Sequence, residues 1–251
     1  MKRVHYAWIV AAVTFIALMG AAGFRATPSV LIVPLQNEFG WNRAVISIAV
    51  SINLILFGLT GPFAAALMDR FGLRVVTVGA LTTVATGALL TTVMNAPWQL
   101  YLLWGVVVGL GTGCMASVLA ATVANRWFVH RRGLVLGALT AAGATGQLIF
   151  LPGLGWLAEN AGWRWAAITV ALAALAVVPV VALFLRNRPG DVGLRALGAT
   201  EADLAPAQTG SPIVNAFRGL RLGVRSRDFS RFGCIGFKYD GLLHRQESIA
   251  A

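Results

Sequence analysis

Side chains able to do chemistry are scarce in this sequence. His5, His130 and His244 have no cysteine, histidine or carboxylate partner at metal-ligand spacing. Cys114 lies in an apolar run and Cys234 in a charged one; with no Cys-x-x-Cys pair, both read as unreactive thiols. The run GVVVGLGTG at 105–113 is glycine-rich, but it sits inside an apolar segment and no Lys-Ser/Thr follows, so a phosphate loop is ruled out. The apolar segments hold no nucleophile with a base beside it and no acid pair. A membrane-embedded enzyme is therefore the least favoured class, and no catalytic residue, metal or cofactor is expected.

The polar side chains placed inside apolar runs are more informative, because burying them in lipid is costly unless they face a cavity or a partner helix. Asn53 and Gln147 each fall near the middle of such a run. Either could line a midplane site, or simply bond a neighbouring helix. Arg25 is the sharper case, about 27 Å along a helix begun at Ala7 at roughly 1.5 Å per residue. If that helix continues through SVLIVPL, Arg25 faces a cavity and can pair with an anion; if it stops at Phe24, Arg25 is an interfacial anchor.

The elements that must hold these residues follow from composition. Of 251 residues 58% are hydrophobic and 12% charged, and the mean hydropathy is +0.76, which excludes an ordinary soluble enzyme. Apolar runs long enough to span a bilayer cover about 7–36, 44–67, 75–95, 99–124, 133–157 and 165–185. The first follows Lys2 and Arg3, but it is long for a signal segment and five more runs follow, so it reads as a retained helix. The fold class is all-α integral membrane: a six-span bundle over 1–188 whose second triplet enters from the side opposite the first, the geometry of a 3+3 inverted repeat.

The net charge of +11 is not a nucleic-acid signal. Nine of those charges belong to residues 1–189, in short clusters between apolar runs. Lys2, Arg3, Arg70, Arg74, Arg126, Arg131, Arg132, Arg186 and Arg188 fall on one side, and only Arg25, Arg43 and Arg164 on the other. That asymmetry places both termini in the cytoplasm and the protein in the plasma or inner membrane, with the lipid bilayer as its first partner. Seven tryptophans, at 8, 41, 98, 127, 156, 163 and 165, lie at or just past run ends, as interfacial belts do.

Gly105, Gly109 and Gly113 form a stripe at spacing four, and Gly133, Gly137 and Ala141 repeat it in the fifth run. Such stripes admit a second helix closely, and packing is the favoured reading over passage of a substrate along them. Pro28, Pro34, Pro62, Pro152 and Pro179 fit bends in carrier helices. Residues 189–251 carry 8 basic and 6 acidic side chains, with no run of spanning length, and read as a partly disordered cytoplasmic tail.

Residues 65–74, Ala-Ala-Leu-Met-Asp-Arg-Phe-Gly-Leu-Arg, resemble the signature cytoplasmic loop of the major facilitator superfamily, with Asp69, Arg70, Gly72 and Arg74 at the matching positions. Gly72 permits a tight turn, and Asp69 can sit against the positive end of a helix to bias a gate; the alternative is a solvated salt bridge. Ala65 and Leu73 depart from the usual glycine and basic residue. Residues 125–147, NRWFVHRRGLVLGALTAAGATGQ, with Arg126, Arg131 and Arg132, resemble the fourth loop and fifth helix of the monocarboxylate-transporter-like and oxalate/formate-antiporter-like branch. FGWNR at 39–43 and Trp98-Gln99-Leu100 fit the same branch.

The resemblance covers roughly residues 5–229 and implies alternating-access transport of a small organic anion, of monocarboxylate or dicarboxylate type, moved with a proton or exchanged for another anion. Two departures stand out. The arginine common in the fourth span of proton-coupled members is missing, and such carriers have twelve spans where six are found here. The bundle therefore reads as the amino-terminal half of a carrier. Alternatively it is a truncated or frame-shifted product without transport of its own, or a half-carrier that pairs with a second six-span half or with itself.

Overall fold

The computed structural model describes residues 5–115 and 117–199, apart from the side chains of residues 25, 26, 28 and 29. Lys2, Arg3 and the segment after 199 lie outside the described residues. Among the described residues, six helices are long and apolar enough to cross a membrane: α1 Tyr6–Phe39, α2 Arg43–Phe71, α3 Leu73–Thr91, α4 Pro97–Trp127, α5 Arg132–Asn160 and α6 Trp163–Phe184. Helix is what such runs require, since in lipid each backbone N–H and C=O must be paired within its own segment. The helices overrun or fall short of the apolar runs because hydropathy marks lipid, whereas capping marks a helix end. α2 continues through Asp69 and Arg70 until Gly72 stops it, and α3 ends at Thr91 with Thr92 as its cap.

Local chemistry explains the ends. The side chains of His5 and Asn42 accept from the N–H groups of Ala7 and Ala44, capping α1 and α2. Gly40 closes α1 in the left-handed region at φ 66°, its N–H donating to the Gln36 carbonyl at 2.9 Å. α4 is not uniform: after a first turn at Pro97–Leu100 it is π-helical over Tyr101–Val108 before α-helix resumes. All six buried threonines, at 14, 27, 60, 77, 91 and 112, donate their hydroxyls to a carbonyl three or four residues back, so none is left unpaired in an apolar interior.

The most extensive contacts join α1 to α5 and α6, α4 to α2 and α3, and α3 to α6. Exchanging the first triplet for the second, helix for helix, leaves this set unchanged, which is the contact signature of a 3+3 inverted repeat. α2 and α5 are counterparts, both 29 residues long and carrying Pro62 and Pro152 at nearly the same position along the helix. They are also the least enclosed. Only 17% of the apolar stretch of α2 and 22% of that of α5 are buried, against 53% in α4 and 67% in α1. α1 and α4 thus form the centre, while α2 and α5 present outward apolar faces, including Leu54, Ile55, Leu134 and Leu148.

Candidate functional site

A cleft of about 240 Å³ opens between α1, α2, α4 and α5. α1 contributes Leu18, Ala21 and Ala22, α2 Phe57, α4 Thr112, Met115, Ser117 and Ala120, and α5 Leu139, Thr140 and Gly143. The wall is mostly apolar. Thr112 and Thr140 donate at 2.8 Å to the carbonyls of Val108 and Leu136, and each keeps acceptor capacity on its oxygen. No lining residue carries a charge.

The backbone of α1 is helical through Arg25 and on to Phe39. Of the two readings of Arg25, the continuing helix is therefore the one observed, and Arg25 follows the cleft residues Ala21 and Ala22 by one helical turn. Asn53 and Gln147 are not among the lining residues. Instead the Asn53 side-chain amide donates at 2.9 Å to the carbonyl of Trp104 in the π-helical stretch, a tie between α2 and α4. Gln147 is half-buried on α5.

Glycine makes that tie possible. A Cβ at Gly105 would lie 3.1 Å from Ile52, at Gly109 3.1 Å from the Cα of Asn53, and at Gly113 2.8 Å from Thr60 and 3.1 Å from the Cα of Phe57. The stripe therefore runs along the backbone of α2. The second stripe behaves differently: Gly133 and Gly137 have nothing within 4 Å of a Cβ position. The close approach of α5 to α1 is made by Gly146, where a Cβ would meet the Met19 carbonyl at 2.6 Å and Ala22 at 2.7 Å.

At the end of the bundle that carries the α2–α3 and α4–α5 loops, four segments meet. The Arg126 guanidinium of α4 pairs with Asp69 of α2 and donates at 3.5 Å to the carbonyl of Asn187, just past α6. The Asn187 side-chain oxygen accepts from the Arg74 N–H at 2.9 Å. Gly72 stands between, at φ 89°, a region that favours glycine, and its missing Cβ leaves the space occupied by the Asn187 amide, 2.7 Å away. Arg70 points elsewhere, with its guanidinium 5.3 Å from the ring of Phe71. Arg131 takes a left-handed conformation at φ 66° to start α5, and Arg132 Nε donates to the Phe128 carbonyl at 2.6 Å, closing the α4–α5 turn. After a turn at Pro189–Val192 the chain returns across this loop, where Val129 N–H donates to Leu197 and Leu197 N–H to Trp127.

Asn187 was not legible as a functional position: in FLRNRPGD it sits between two arginines and reads only as part of a charged run end. The opposite end has its own tie. Glu38 of α1 accepts from the Trp163 indole and pairs at 2.6 Å with Arg164, which also donates at 3.0 Å to the Thr92 carbonyl past α3. Among the described residues, no group of three His, Cys, Asp or Glu could hold a metal.

A six-helix membrane bundle with a ligand-sized cleft between its central and peripheral helices is the class this geometry defines. Residues 11–233 match the model of the Major Facilitator Superfamily, and the chain belongs to that family of transporters. It is 28% identical over 185 residues to an uncharacterized MFS-type transporter, YcxA, of Bacillus subtilis (strain 168), covering 72% of this chain and 45% of that protein. Similarity to Monocarboxylate transporter 7 of Homo sapiens is 29% over 177 residues, covering 69% of this chain and 33% of the relative. For Monocarboxylate transporter 3 of Mus musculus it is 32% over 160 residues, or 63% and 32%. The chain thus spans less than half the length of these curated relatives.

Proposed function

We propose that this six-helix bundle is one half of a secondary transporter for a small organic anion, working by alternating access with the anion held between it and a second six-span bundle. The observation that carries this reading is the cleft: it lies between α1, α4 and the two helices whose outward faces are least covered, α2 and α5. Its apolar wall suits the body of a monocarboxylate more than a second charge, and Arg25, one turn along α1, is the residue to receive the carboxylate. Asn53 fits better as a helix tie than as a ligand, while Gln147, half-buried on α5, stays a candidate for the cavity. The Asp69–Arg126 pair, with Gly72 and Arg74, serves as a gate on the cytoplasmic side, both termini facing the cytoplasm by the arginine and lysine count.

Whether a proton accompanies the anion or another anion is exchanged for it is a property of the complete two-bundle assembly. A second reading is that these six spans transport nothing by themselves and act only with a second bundle. The test is uptake of a labelled monocarboxylate into proteoliposomes holding the chain alone or a two-bundle assembly containing it. Uptake by the assembly, lost in Arg25→Ala at unchanged insertion, supports the proposal. Full uptake by Arg25→Ala removes the role of Arg25, uptake by the assembly but not by the chain alone supports the second reading, and no uptake by any assembly overturns both.

A further inference from the structure

α3 begins in a way that needs help from outside. Its N-cap is Gly72, which has no side chain to accept from the first N–H groups of the helix. The acceptor comes instead from a residue more than a hundred positions later, the Oδ1 of Asn187, at 2.9 Å from the Arg74 nitrogen. The same residue presents its backbone carbonyl to Arg126, whose other terminal nitrogen is on Asp69. Asn187 therefore bonds the start of α3 through its side chain and Arg126 through its backbone. It is also tethered on both sides in sequence, because α6 ends three residues before it and the returning segment at Leu197 bonds both Trp127 and Val129 near Arg126.

We propose that Asn187 is the positioning residue of the Asp69–Arg126 pair: its side chain caps α3 in place of the one Gly72 lacks, and so fixes the carbonyl that holds Arg126 toward Asp69. The strap after α6 then becomes part of the pair. Moving the Asn187 carbonyl away from Arg126 would draw on both the α3 cap and the strap, which makes the segment leaving the bundle a handle on this end of it. The functional sense of this coupling rests on the gate proposed above; the coupling itself does not.

The test uses the full chain in detergent, with amide exchange over the peptide holding Gly72 to Val76 and the thermal midpoint as readouts. Asn187→Ala is expected to speed exchange in that peptide on the order of fivefold. Asn187→Asp, which keeps the acceptor oxygen, is expected to retain the protection. In combination with Asp69→Asn, Asn187→Ala is expected to lower the midpoint by less than the sum of the two single losses, because both act on one network. Unchanged exchange in Asn187→Ala, or strictly additive midpoint losses, overturns the proposal. If Asn187→Ala does not fold, loss of protection in Asn187→Asp overturns it instead. Uptake unaffected by Asp69→Asn in a two-bundle assembly would end the gate reading and leave the coupling standing.

Discussion

At each end of the bundle a carboxylate from the first triplet meets an arginine from the second, yet the two pairs are built on different helices. Glu38 and Arg164 join α1 to α6, helices already packed along their length, and the indole of Trp163 shares the carboxylate. Asp69 and Arg126 join α2 to α4, and their network passes through loop residues: Gly72, the Arg74 N–H and Asn187. The first pair involves only residues of the two helices, the turn before α6 and the end of α3. The second fastens the end of α2, the helix whose flank is least enclosed, to the centre of the bundle. Both pairs therefore fasten helices that already pack, and they differ in reach: the Asp69 end also ties in the start of α3 and the segment after α6.

The comparison can be broken or sharpened in three steps. Gly72→Ala should have the largest effect, about 2–3 kcal/mol of stability, because a left-handed backbone and the Asn187 amide both oppose a Cβ; a thermal melt in detergent measures it, and a native-like midpoint would mean the turn relaxes freely. Asp69→Asn leaves the less exposed Arg126 guanidinium without its counter-charge and should cost about 1–2 kcal/mol, with faster amide exchange over residues 125–131. Glu38→Gln keeps an acceptor for the Trp163 indole in a pair that is 44% and 37% exposed; it should cost under about 1 kcal/mol, and less in high salt. A loss at Glu38 exceeding that at Asp69 would reverse the ranking of the two ends.

The helices could be read from sequence because a bilayer imposes one rule on every residue of a span, and 20 or so apolar residues satisfy it visibly. The glycine stripe of α4 was legible for a similar reason: three glycines at spacing four share one face whatever lies opposite. In α5 the same logic picked Gly133 and Gly137, whereas the contact with α1 falls on Gly146. Small residues occur all around α5, and only the position of Met19 and Ala22 decides which of them is pressed. Asn53 could be marked as costly in lipid, but its partner is the Trp104 carbonyl, a backbone atom that no pattern of side chains advertises. Asn187 was hidden for the same reason twice over: it works through an N–H and a guanidinium distant in sequence, beside arginines that already had an explanation. Arg25 depended on whether α1 continued, and the two prolines after it made the sequence ambiguous where the helix is not.

The exchange of triplets has one more consequence. A bundle whose main helix pairings are the same after the triplets are exchanged cannot take its sense of up and down from those pairings alone. Polarity must then be written in the connections: in the arginines at the end that carries the α2–α3 and α4–α5 loops, and in the departures from the repeat, such as the π-helical stretch of α4 and the strap after α6. Those asymmetric features are what give a repeated architecture two different faces.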